Sequence, residues 1–200
     1  MLRKSLMAVL LLAVTALAAC GGPKPAQGLL TEDEIGKLES LYLSDRDTAL
    51  KGLGFSEKDL DTEGDGYEFL TSAGAYPLKS SRSIDGTDFR QILLTSVGSP
   101  EGLYGMYFQA SFDTQEEAGA AREALISAVS ELYGEPAYPD TQRWKAGEVT
   151  ELALHQITGP GDNEGPYTLR LEYSVPAVVD GRRLSGEEIA EMVRSVQEKQ

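Results

Sequence analysis

Few side chains in this sequence are equipped for chemistry, and two of those occur only once: Cys20 and His155. The Cys20 thiolate is a ready S-alkyl nucleophile, and a single Cys excludes any disulfide within the chain. A lone thiol in an exported protein is usually paired between molecules or modified. As the sole histidine, His155 rules out a His-based metal cluster. A general base needs a nucleophile or a substrate proton within reach, and neither a G-x-S-x-G elbow nor an S-x-x-K motif accompanies it. His155 therefore reads as a structural or surface residue, sharing a strand face with Ala153 and Ile157. Asp61, Glu63 and Asp65 followed by Gly66 imitate the start of a calcium-binding EF-hand loop. The imitation then fails, because Ser72 stands where a bidentate Glu is needed and Glu68 where an apolar residue is usual. A solvated acidic loop is the commoner meaning, with weak calcium binding left open. Carboxylates are abundant enough to supply an acid–base pair, but no spacing singles out two of them.

Only Cys20 has neighbours that frame its chemistry. Arg3 and Lys4 give a positive start, Leu6 to Ala16 form an apolar run, and Leu17-Ala18-Ala19 lead to the Cys. That is the three-part layout of a secretory signal. The run falls short of the roughly 20 apolar residues a membrane-spanning helix needs. The Leu17-Ala18-Ala19-Cys20 ending resembles the lipobox of bacterial lipoproteins. The resemblance implies that residues 1–19 are removed as a signal peptide and that Cys20 carries a diacylglyceryl thioether. In many bacteria a further acyl chain, such as palmitate, is added to the new amine, and two chains suffice for stable attachment. Residues 20–28, rich in Gly and Pro, then read as a flexible tether. Gly21 is not the Asp that, in lipoproteins of this kind, is associated with retention at the inner membrane.

Charge narrows the partners. The chain carries 18 Lys and Arg against 32 Asp and Glu, a net charge of -14. Loss of Arg3 and Lys4 with the leader takes this to about -16. So acidic a chain is repelled by phosphodiester backbones and anionic headgroups, which argues against nucleic acid as a partner. Contact with the membrane then falls to the lipid, because no basic amphipathic helix supplements it.

The remainder, 29–200, reads as one globular domain. Thr31 and Glu34 form a capping box before Ile35, Leu38, Leu41 and Tyr42, and Ser44 caps a second short helix ending at Gly54. Three strand-like segments follow, Leu78 to Ile84, Asp88 to Val97 and Leu103 to Phe112, separated by turn signals. In the third, Tyr104, Met106, Phe108, Ala110 and Phe112 alternate onto one face. Asp113 or Thr114 caps the longest helix, whose buried stripe is Ala118, Ala121, Leu125, Ala128, Val129 and Leu132. After a loop bearing Trp144 come strands Val149 to Thr158 and Tyr167 to Ser174, joined by GPGDNEGP, which lacks the Lys and helix of a phosphate loop. Ser185 and Glu188 box a final helix striped by Ile189, Met192, Val193 and Val196. The fold expected is α+β: an antiparallel sheet of about five strands with helices mainly on one face, in two layers, preceded by a helical segment. The Leu132-Tyr133-Gly134-Glu135-Pro136 helix end, with Trp144 and the hairpin, resembles a pattern in small uncharacterised bacterial lipoproteins. The helical prologue before a sheet resembles the β-lactamase-inhibitor-protein-like fold of some envelope lipoproteins. Neither likeness carries a functional residue.

If the long helix covers the face bearing Tyr104, Met106, Phe108, Leu169 and Leu171, the other face carries Tyr107, Gln109, Arg170 and Glu172. Tyr and Arg are enriched where partners bind, so these four are the candidate partner face. Plain solvent exposure is the ordinary alternative, and the final helix folding over them is another. Trp144, Tyr76, Tyr133 and Tyr138 can line a ligand groove or, more commonly, close a core. The resulting expectation is a lipid-anchored, extracytoplasmic binding or accessory domain of the bacterial cell envelope, acting on a protein partner, with no catalytic role and no cofactor or metal. The alternatives are a carboxylate-dependent cell-envelope hydrolase and a small solute-binding lipoprotein. A cleft holding converging carboxylates would favour catalysis, and a flat sheet face would favour binding.

Overall fold

The structure, a computed structural model, describes residues 28–64, 66–96, 100–157 and 166–199. The expected signal peptide, Cys20, nearly all of the expected tether, Asp65 and most of the GPGDNEGP connection lie outside those residues. Helices α1 (Glu32–Leu41) and α2 (Arg46–Leu53) come first. The Thr31–Glu34 capping box starts α1, but α2 is capped by Asp45 rather than Ser44, its carboxylate accepting from the Thr48 amide. An acidic stretch leads to α3 (Tyr67–Ser72) and then to strands β1 (Ala75–Ile84), β2 (Thr87–Ser96) and β3 (Gly102–Phe112). Thr114 caps α4 (Gln115–Tyr133), followed by β4 (Arg143–Lys145), β5 (Glu151–Ile157) and β6 (Tyr167–Ser174). A small hairpin, β7 (Val178–Val179) and β8 (Arg182–Arg183), precedes α5 (Gly186–Gln197), which starts with the Ser185–Glu188 box.

The fold is α+β, and its sheet has six antiparallel strands in the order β1-β2-β3-β6-β5-β4. The strand beyond the expected five is β4, three residues around Trp144 and too short to show an alternating pattern. One face is densely packed. Phe89, Leu93, Phe108, Leu169, Leu171, Tyr173 and Trp144 are fully buried there, under Ile35 and Leu38 of α1, Leu125 and Val129 of α4 and Val193 and Val196 of α5. The α4 stripe is narrower than its sequence suggests, for Leu132 is largely exposed.

Among the described residues the helix packed on the other face is α3, whose Leu70 packs with Ala75, Ile92, Leu94 and Tyr107 in a second, small apolar cluster. Tyr104 belongs to this cluster, not to the face of Met106 and Phe108. The cause is a bulge: Leu94 pairs with Gly105 but Thr95 with Leu103, so Tyr104 is left over and flipped. The last helix does not cover this face. Its Gln197 side chain donates to the carbonyls of Glu39, Ser40 and Tyr42 and ties α5 to the end of α1.

The chain enters this body through a clasp. Arg82, near the end of β1, forks onto both oxygens of Glu34 at 2.9 Å and also bonds the carbonyls of Gly28 and Leu29. Tyr133 donates to the Leu30 carbonyl, and the Leu30 amide donates to Tyr173. Gly28 needs its missing side chain, because at a φ of 96° a Cβ would fall 1.9 Å from the Ser83 carbonyl oxygen.

Candidate functional site

Side-chain alternation builds the site on the less covered face. Leu152 and Leu154 of β5, and Leu171 and Tyr173 of β6, point into the core. Their neighbours Glu151, Ala153 and His155, with Arg170, Glu172 and Ser174, are thrown to the other side. Strand pairing sets them in rows: Gly105, Ser174 and Glu151; then Tyr107, Glu172, Ala153 and Arg143; then Gln109, Arg170 and His155. At the end of the sheet formed by Thr95, Gly102 and Ser174, this surface deepens into a cavity of about 840 Å³. Leu43, Tyr104, Val175 and Ile189 give it apolar walls, while Arg143, Glu151, His155, Glu172 and Arg183 give it charge and polarity.

The charged groups are not equivalent. Arg143 and Glu151 stand 2.6 Å apart, an ion pair whose geometry falls outside hydrogen bonding and leaves Glu151 Oε2 without a hydrogen-bond donor. Burial pushes the Glu151 carboxyl above the usual range, and Arg143 opposes that shift. Glu172 accepts a hydrogen bond from Ser174 Oγ at 3.0 Å. Tyr104, half-exposed, has its phenol raised first by burial and then by the nearby Glu172 charge.

Of the candidate face, the sheet register joins all four residues into one block, Tyr107 opposite Glu172 and Gln109 opposite Arg170. The Arg170 guanidinium lies over the Tyr107 ring at 4.1 Å, and Tyr107 is only 4 % exposed. What this block presents to solvent is therefore Gln109, Arg170 and Glu172. Glu172 and His155 line the cavity, and His155 is exposed. The aromatic candidates scatter. Trp144 is fully buried in the core and Tyr133 sits in the entry clasp, while Tyr76 and Tyr138 lie against Arg46 and Arg143. Asp61 is engaged by Arg90 and Glu63 faces solvent. Among the described residues no His, Cys, Asp and Glu cluster could hold a metal. Cys20, the residue expected to carry the lipid, lies outside them.

Comparison of the chain with protein-family models, curated proteins and solved structures gave no match in any of the three. The site has to be read from its own chemistry.

Three charged cavity residues were not foreseen. Glu151 was legible in principle, since the alternation that groups His155 with Ala153 also includes it. Arg143 was hidden in the three-residue β4. Arg183 comes from a hairpin that announces only its turn, Asp180-Gly181, and gives no sign of where it folds.

Proposed function

We propose that this chain is a lipid-anchored, extracytoplasmic binding domain of a bacterial cell envelope, held through Cys20 and engaging its ligand in the cavity. The observation that carries the reading is the cavity itself, of a volume suited to a small ligand or a peptide segment and lined by apolar walls with few charged groups. The lipobox-like ending at Cys20 supports the anchor. Among the described residues no helix is long and apolar enough to cross a membrane.

The position of the entry clasp supports the same reading. Gly28 is gripped beside Ser83 and Ile84, at the β1–β2 turn. The cavity lies toward the other end of β2, at Thr95 and Ser96, which a ten-residue strand sets about 30 Å away. The eight residue-to-residue steps from Cys20 to Gly28 reach about 28 Å at full extension. A domain tethered at that corner presents the cavity away from the lipid surface. A protein partner docking on Gln109, Arg170 and Glu172 would meet the cavity at Glu172.

Two measurements test this. Cys20→Ser should leave the membrane fraction or stay unprocessed, and normal mature mass with unchanged detergent partitioning would contradict the anchor. Native mass spectrometry of protein extracted from its own membranes should show a bound adduct. Ala153→Trp, which fills the cavity floor, should lose that adduct while circular dichroism stays unchanged. A wild-type protein without adduct would overturn the binding site.

One observation favours a second reading, a carboxylate-dependent hydrolase. Glu151 and Glu172 are diagonal neighbours on adjacent strands, a spacing of roughly 7 Å that suits a carboxylate pair, and Glu151 is shifted upward. Arg143 opposes the proton that a general acid must hold, so binding is the better account. Clearing of a cell-wall suspension that Glu151→Gln and Glu172→Gln each abolish would reverse this preference.

A further inference from the structure

The cavity contains four charged side chains, and they divide into one pair and two singles. Arg143 and Glu151 neutralise each other. Glu172 and Arg183, of opposite sign, have no ion-pair partner among the described residues, although both line the same space.

Local structure explains why both are left single. Glu172 lies between Leu171 and Tyr173, which the core claims, so it must face the cavity, where its one hydrogen bond among the described residues comes from neutral Ser174. Arg183 sits on a tight hairpin whose turn, Asp180 and Gly181, has positive φ at both residues, 50° and 76°. That turn fixes the register Val178 to Arg183 and Val179 to Arg182. Alternation then sends the two arginines apart. Arg182 pairs with Glu188 of α5 at 2.7 Å, and Arg183 lines the cavity.

Two uncommitted charges of opposite sign in one cavity suit a ligand that brings both. The half-exposed ring of Tyr104 stands on the same face as Glu172, and an aromatic face next to a carboxylate favours an ammonium. A guanidinium is well matched to a carboxylate, which it can grip through two parallel bonds. Val175, Ile189 and Leu43, which line the same cavity, offer apolar surface for side chains. We infer that the cavity takes a free zwitterionic amino acid or short peptide, its ammonium at Glu172 and its carboxylate at Arg183. The inference rests on the cavity being a binding site and adds the chemical class of the ligand.

The test is calorimetric titration of the full-length protein in detergent with trialanine, N-acetyl-trialanine, trialanine amide and the doubly capped peptide. Trialanine should bind, and capping either end should weaken it at least tenfold, roughly the loss of one charge-assisted contact. Glu172→Gln should bind the free and acetylated peptides alike while still preferring the free carboxylate. Arg183→Gln should show the reverse. Neither side chain belongs to the core, so both variants should keep the wild-type circular dichroism. Equal affinity for all four peptides, abolished by Ala153→Trp, would overturn the charge assignment and leave the binding site standing. Failure of every peptide would overturn the ligand class, and the native-mass adduct reads the binding site separately.

Discussion

The two faces of the six-stranded sheet are built from the same strands and do different work. One holds Phe108, Tyr173, Leu169 and Leu171 at no exposure beneath four helices. The other carries a six-residue helix, a small cluster around Tyr107 and a charged cavity. Even their Arg–Glu pairs differ. Arg82 forks onto Glu34 with good hydrogen-bond geometry and draws its carboxyl down to about 2. Arg143 meets Glu151 without a hydrogen bond, and that carboxyl is pushed up. The first pair closes the structure at the chain entry; the second stands in the cavity wall.

The contrast can be broken most sharply by deleting equivalent aromatics on adjacent positions of β3. Phe108→Ala should cost about 3–5 kcal/mol in urea unfolding, the usual loss for a fully buried ring. Tyr107 is buried too, but under Arg170 and one short helix, so Tyr107→Ala should cost less, about 3 kcal/mol at the low end of that range. Equal losses would make the second face another core rather than a working surface.

The two ion pairs should respond to pH with opposite signs. Glu34 has a folded pKa below its unfolded value, so its stabilisation is complete above about pH 4.3 and is lost as pH falls toward about 2. The advantage of wild type over Glu34→Gln should vanish over that window. Glu151 has a raised folded pKa, so its contribution is complete below the unfolded value and is lost as pH rises through the folded one. Wild type should therefore gain on Glu151→Gln as the solution is acidified. The same sign for both would erase the distinction.

The smallest effect expected is at Phe69, on α3 but 76 % exposed. Phe69→Ser should change stability by no more than about 0.5 kcal/mol, because Leu70 holds α3 to the sheet. A larger loss would mean that the less covered face is better packed than described.

The sequence was most informative where one local rule acts alone. The capping boxes at Thr31 and Ser185 and the Tyr167–Ser174 alternation stand as read. Tyr104 was misplaced because strict alternation ignores a bulge, which depends on how β2 and β3 pair rather than on either strand. The helix α3 was missed because six residues are too few for a helical period to show. The site was less legible than the fold. It unites β4, β5, β6 and the β7–β8 hairpin, and nothing local in Arg143 or Arg183 announces that they share a cavity with Glu172.

The claim that one face binds and the other supports is tested most directly by site-specific photo-crosslinking in intact cells. One probe replaces His155, exposed in the cavity; the other replaces Glu123, exposed on α4 above the packed face. Both are placed in the full-length chain with Cys20 intact. The account predicts a discrete, reproducible adduct from position 155 that Ala153→Trp removes, and none from position 123. Equal crosslinking from both positions, or adducts from position 123 alone, would contradict it.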